Sequence, residues 1–172
     1  MKTTITTFPN QELYQPTRDI PKKDIKAETF SQIGSAMLEI LKDKGGIGLS
    51  ANQVGLPLNM CVIDIETNNP KIMLNPRITK TSKNKVPSRE ACLSIPGASV
   101  TVQRYEKVTV EYEDVTGETI KLEATGLESY CLQHEIDHLN GILMLNRLSA
   151  FHKQKAMKQM DKFKKARNGR YK

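Results

Sequence analysis

Apolar residues follow two periods along this chain. Between Ala27 and Lys44, the residues Phe30, Ile33, Met37, Ile40 and Leu41 recur at intervals of three and four, which is one face of an α-helix, and Gly45-Gly46 ends the run. Strand signals come next. Leu58 to Ile65 is a dense apolar run, and Lys71 to Thr79 is a second, in which Pro76 predicts an edge or a bend. Val100-Thr101-Val102 is a short strand. Val108, Val110 and Tyr112 alternate with polar residues, as do Ile120, Leu122 and Ala124, and Asp114-Val115-Thr116-Gly117 between them reads as a hairpin turn. Thr125 and Glu128 are spaced as a capping box that opens a second helix, which Gly141 stops. A last helix, from about Ala150 to Ala166, carries a sparse apolar stripe of Phe151, Met157, Met160 and Phe163. Three stretches read as irregular: residues 1–24, broken by Pro9, Pro16 and Pro21; the Gly-rich loop Gly46–Gly55; and the Lys-bearing residues 80–89, expected as an exposed loop.

The 172 residues fit one domain with a sizeable core. No apolar run of 18 residues predicts a membrane span. Met1 to Asn10 lacks the apolar core of a secretion signal and the Arg-rich character of an organelle address, so a cytoplasmic location is expected. The 3 cysteines, Cys61, Cys92 and Cys131, are odd in number and irregular in spacing, which suits a reducing compartment rather than a disulfide framework. The net charge of +7 is uneven. Lys153, Lys155, Lys158, Lys162, Lys164, Lys165, Arg167, Arg170 and Lys172 face Asp161 alone in the last stretch, which leaves the first 150 residues close to neutral and without a nucleic-acid footprint of their own.

The chemistry concentrates in the second helix. His134 and His138, two of the 3 histidines, stand four residues apart with Glu135 beside the first. Residues at that spacing share a helix face about 6 Å apart along the axis. Two imidazoles so placed can grip one metal ion, with the glutamate positioned to move a proton to or from water. A metzincin would place a third histidine where this chain has Met144, so that reading fails. His152 lies in the basic tail and reads as solvated. Cys131 shares the histidine face, but its level on the axis is about 7.5 Å from the midpoint of the pair, beyond the reach of a one-carbon thiolate. It reads as packing beneath the site. Cys61 lies within an apolar run and reads as a buried small hydrophobe. Cys92, between a polar loop and the Pro96-Gly97 turn, is the best third ligand.

Three motifs, in order, resemble peptide deformylases along nearly the whole chain: Gly46-Ile47-Gly48-Leu49-Ser50-Ala51-Asn52-Gln53, Glu90-Ala91-Cys92-Leu93-Ser94, and Gln133-His134-Glu135-Ile136-Asp137-His138. The resemblance implies an α+β fold, with antiparallel β-sheets packed around a central metal-binding helix and flanked by an N-terminal helix and a basic C-terminal helix. It implies Cys92, His134 and His138 as ligands of one divalent ion, usually Fe(II), with Zn, Ni or Co able to occupy the site. Glu135 would be general base and acid, and the Gln53 amide and the Leu93 N–H would hold the oxyanion while water attacks the formyl carbon of an N-formylmethionyl peptide and formate leaves. Ile47, Leu127, Tyr130 and Cys131 would line the methionine pocket, and the backbone of Gly48 and Gly97 would pair with the peptide. Glu90 would pair with Arg104 and orient the cysteine loop. The chain departs from the family in Ala91 for Gly, Ser50 for Ala and Tyr130 for an aliphatic residue. The basic helix has two readings, a solvated amphipathic helix that aids solubility or, as the family's C-terminal helix, a surface that docks on ribosomal RNA, and the expected oligomeric state is a monomer. A peptidase built on the same helix, or a non-catalytic ribosome-associated module, would share parts of this pattern. Formate release from a formylated peptide separates them.

Overall fold

The computed structural model describes residues 4–65 and 69–168. In chain order the elements are α1 (Ala27–Lys44), β1 (Gly48–Ser50), β2 (Met60–Ile63), β3 (Lys71–Thr81), β4 (Lys85–Ala91), β5 (Ser99–Tyr105), β6 (Lys107–Glu113), β7 (Thr119–Thr125), α2 (Gly126–Leu139) and α3 (Ala150–Asn168), with short 3-10 turns between them. An antiparallel sheet of order β1-β2-β3-β6-β7 stands beside a two-stranded ribbon, β4-β5.

β2 shows how the layers stack. Strand side chains alternate between faces. Met60 and Val62 pack with Phe30, Met37 and Leu41 of α1, whereas Cys61 and Ile63 pack with Cys131, Leu132, Ile136 and Leu139 of α2. A strand covered on both faces reads as an unbroken apolar run, which is why this segment was so dense. A third cluster joins Cys92, Ile95, Ala98 and Val100 around the ribbon to Leu143, Met144, Ala156 and Met160. α2 therefore lies between the sheet and the ribbon, and every residue from Cys131 to Leu139 is buried. Glycines close the two inner helices. Gly45 takes φ 65° after α1, and Gly141 takes φ 71° after α2, where a Cβ would stand 2.4 Å from the Tyr14 carbonyl oxygen.

Four local expectations need correction. Residues 80–89 are not a loop: β3 runs to Thr81, and β4 pairs with β5 from Lys85↔Tyr105 to Ala91↔Ser99. The inward residues of β4 include the polar Ser88 and Glu90, so the strand has no apolar alternation to read. The Gly-rich stretch is ordered as β1 and a 3-10 turn over Ala51–Val54. The capping box does not form. Thr125 ends β7 and makes no side-chain cap, and Glu128 accepts from Lys71 Nζ at 3.1 Å instead. In α3 the stripe splits: Met160 is buried with Ala156, while Phe151, Met157 and Phe163 are exposed. Arg170 and Lys172 lie outside the described residues. Pro76 lies within the register shift between Leu74 and Arg77, where Asn75 takes φ 51° and its side chain binds the backbone of Ile20.

The ribbon is locked to α2 by ions as well as by apolar contact. Arg104, 2% exposed, donates from Nε and Nη2 to the two Glu90 oxygens at 2.7 and 3.1 Å, and from Nη1 to Asp137 Oδ2 at 2.5 Å. Arg147 clasps both Asp137 oxygens from outside. Burial alone would raise the Glu90 pKa. The hydrogen bonds from His134 and Arg104 outweigh it and bring it from 4.5 to about 2. A depressed carboxylate pKa gives stability that is complete above the unfolded value and is lost as pH falls toward the folded one. Arg104→Met should therefore destabilise the protein by about 3–5 kcal/mol at pH 7, because it leaves buried carboxylate charge without its cation. The difference from the parent should shrink by pH 3. Denaturant unfolding at both pH values measures this, and an equal difference at both would contradict it.

Candidate metal centre and active-site cleft

α2 presents His134 and His138 on one side, with ring centroids 4.9 Å apart. The turn after β4 brings Cys92 to them, and Cys92 Sγ lies 3.1 Å from His138 Nε2. The three ligand atoms all fall within 4.8 Å of one another, and all three residues are buried. One thiolate and two imidazoles around a single ion, with bonds of about 2.3 and 2.0 Å, need separations of about 3.3–3.6 Å, so the donor set suits one transition-metal ion once its widest pair closes by about an ångström. Each ring is also presented differently. His134 Nδ1 lies 2.9 Å from Glu90 Oε2, which fixes the ring and leaves Nε2 free to ligate. His138 is held from the backbone side, where Asn52 Nδ2 donates to its carbonyl at 2.6 Å, and its Nδ1 has no protein partner.

The electrostatics separate the two histidines. Full burial and the neighbouring His134 push the His138 pKa well below its ordinary value, keeping it a neutral donor. Burial acts the same way on His134, but the adjacent Cys92 sulfur and Glu90 carboxylate outweigh it and raise its pKa. Burial lifts the Glu135 carboxyl from 4.5 to about 7, against the pull of His134, and Glu135 Oε2 has no protein partner. A carboxyl near neutrality with a free oxygen suits proton transfer. Burial likewise raises the pKa of the Cys61 and Cys131 thiols, and neither sulfur belongs to the cluster formed by Cys92, His134 and His138.

These groups open onto a cleft of about 340 Å³. Its lining brings together Ile47, Gly48, Gln53, Glu90, Cys92, Leu93, Gly97, Leu127, Tyr130, Cys131, His134 and Glu135. His138 and Arg104 lie behind the wall, at 0% and 2% exposure. Gly48 must be glycine, because a Cβ there would meet Glu135 Oε1 at 2.5 Å and Cys131 Sγ at 2.7 Å. Leu127 is largely exposed at the rim, and the Cys131 thiol donates to the Ile47 carbonyl at 3.6 Å.

Gln53 is fixed from both ends. Its Oε1 accepts from the Ser50 N–H at 3.0 Å and the Ser50 hydroxyl at 2.8 Å, and its Nε2 donates to Ser94 Oγ at 2.9 Å, 3.8 Å from Cys92 Sγ. Ser50, read only as a small departure from alanine, thus adds a second bond to the Gln53 amide. Ala91 sits in regular strand pairing with Ser99, and Asn75 is the only non-glycine at positive φ among the described residues, so the missing glycine leaves no strain. Ser50, Asn52, Ser94, Asp137 and Arg147 are supports to which sequence reasoning gave no role. Membership in the three motifs was the available signal for all but Arg147.

A family model described as polypeptide deformylase matches residues 2–154. A peptide deformylase of Bartonella bacilliformis is 38% identical over 150 residues, which cover 81% of this chain and 82% of the relative. The crystal structure of a peptide deformylase from Legionella pneumophila shares the fold with a TM-score of 0.89 at 34% identity, over 98% of both chains. That of a Synechococcus elongatus peptide deformylase in complex with actinonin gives 0.84 at 35% identity, over 91% of this chain and 85% of that one. Sequence and fold agree over nearly the full length, and this chain belongs to the polypeptide deformylase family.

Proposed function

We propose that Cys92, His134 and His138 hold one divalent ion, Fe(II) by preference, in the enzyme that removes the formyl group from N-formylmethionine at the start of nascent polypeptides and releases formate. The observation that carries this is the buried trio of one cysteine sulfur and two imidazoles at the wall of the cleft that Glu135, with its free oxygen, also lines. Zn, Ni or Co fit the same donor set. When bound, such an ion supplies Lewis acidity and lowers the pKa of water.

The chain's own residues do the rest. Glu135, unpartnered at Oε2 and raised to about 7, takes a proton from the attacking water and returns it to the amine that leaves. The Gln53 amide, held by Ser50 and Ser94, and the Leu93 N–H donate to the oxygen that gains charge as the formyl carbon becomes tetrahedral. Ile47, Leu127, Tyr130 and Cys131 receive the methionine side chain, and the Gly48 and Gly97 backbone flanks the peptide. Glu90, bonded to both Arg104 and His134, keeps the ligand ring in place. Glu135→Gln should retain the metal and lower turnover of formyl-Met-Ala-Ser about 10²–10⁴-fold, with formate release and metal content measured under argon. Near-full rate in that variant would remove Glu135 from this role, and cleavage of unformylated peptides by the parent would favour a peptidase.

We also assign α3 to docking on ribosomal RNA, and place the protein in the reducing cytoplasm as a monomer. All 3 cysteines are free, and no described helix is long and apolar enough to cross a membrane. Lys158, Lys162 and Lys165, at i, i+4 and i+7, lie on the side of α3 opposite Ala156 and Met160. The outer face is therefore basic while the inner face is anchored. Because the inner face belongs to the same core as Cys92, charge reversal tests docking better than truncation. Changing those three lysines to glutamate should abolish salt-sensitive co-sedimentation with ribosomes and leave deformylation of a short peptide intact. Equal sedimentation of both proteins would end the assignment.

A further inference from the structure

The two groups assigned above as oxyanion donors stand on separate sheets. Gln53 lies in the 3-10 turn Ala51–Val54 that follows β1 of the five-stranded sheet, and Leu93 lies in the turn that follows β4 of the ribbon. Among the described residues no strand pairing joins β1 to β4, so the spacing of the two donors needs another source. One tie is direct, from Gln53 Nε2 to Ser94 Oγ at 2.9 Å.

The irregular N-terminal segment supplies the second tie, because it crosses both turns within three residues. The Thr6 N–H donates to the Gln53 carbonyl at 2.7 Å, and the Phe8 N–H donates to the Ser94 carbonyl at 2.8 Å. The two ends are also seated in different clusters. Ile5 packs against the one that holds Leu49, Ala51 and Val54, and Phe8 packs against the one that holds Cys92 and Ile95. Thr6, Gln53 and Ser94 are all buried, so a carbonyl that lost its donor there would have little access to water in exchange. The Thr6 hydroxyl has no protein partner, and the bond to Gln53 is made by the backbone N–H.

Resting on the deformylase reading above, we propose that residues 5–8 form a positioning strap. Their backbone holds the Gln53 and Ser94 carbonyls at a fixed spacing and so presets the Gln53 amide and the Leu93 N–H for the charge that develops on the formyl oxygen. Donors preset in this way act on the transition state more than on the bound substrate, so loosening the strap lowers kcat and leaves KM. A segment that merely held the fold together would lower the rate whatever stood at position 53.

The test measures kcat and KM for formyl-Met-Ala-Ser with the metal-loaded full chain under argon. It compares the parent, Thr6→Pro, Gln53→Ala and the double variant, with thermal melting of each. Gln53→Ala should lower kcat about 10²–10³-fold. Thr6→Pro, which deletes the N–H, should lower kcat about tenfold at unchanged KM and add no further loss to Gln53→Ala. Replacing Thr6 by its α-hydroxy acid turns that amide into an ester, removes the same N–H and keeps the side chain; it carries the test if the proline variant does not fold. An unchanged kcat without the N–H, or the same fall with and without the Gln53 side chain, would overturn the proposal. No formate from the parent would sink the deformylase reading itself, and this proposal with it.

Discussion

A guanidinium with almost no contact with water holds the site together. Arg104 reaches from the β-ribbon to Glu90 on its own ribbon and to Asp137 on the central helix, so one side chain fixes the two elements that lead to the candidate ligands. An isolated charge in such a place would be costly, and only paired, hydrogen-bonded partners make it tolerable. Glu90 then spends its second oxygen on both Arg104 and the Nδ1 of His134. The chain of bonds runs from Arg147 near the surface through Asp137, Arg104 and Glu90 to the imidazole. The orientation of the His134 ring is thereby set through Glu90 at the cleft wall by residues that lie behind it.

Burial gives the same residues their chemistry. The helix is enclosed from Cys131 to Leu139, yet more than half of that stretch is polar. Enclosure raises the Glu135 carboxyl to about 7 and keeps His138 neutral, so one desolvated environment yields a proton carrier and a lone-pair donor side by side. The glycine at position 48 lets β1 approach the glutamate within a distance that no side chain would permit. The candidate site is a polar seam inside the core, walled by two apolar clusters.

Much of this was legible in the sequence, and the failures share a cause. α1 announced itself by its period and its closing glycine, and the bounds agree with the helix found. β2, β3, β6 and β7 were visible because apolar burial marks them. β4 was not, because its inward side chains include Ser88 and Glu90, whose partners come from α2 and β5. The false capping box at Thr125 has the same origin: Glu128 found a partner in Lys71, far away in sequence. Candidate ligands and the proton carrier could be picked out because metal chemistry restricts residue types and spacing. Their supports, Asp137 and Arg147 among them, are ordinary charged residues until a fold buries them.

Everything in the proposed mechanism requires a single ion shared by the sulfur of Cys92 and the two imidazoles. Absorption of the Co(II)-substituted protein measures that directly. One cobalt per chain should bind, with a thiolate-to-cobalt charge-transfer band that survives Cys131→Ser and vanishes in Cys92→Ser. A band that persists without the Cys92 sulfur, or cobalt bound with no thiolate band at all, would contradict the account.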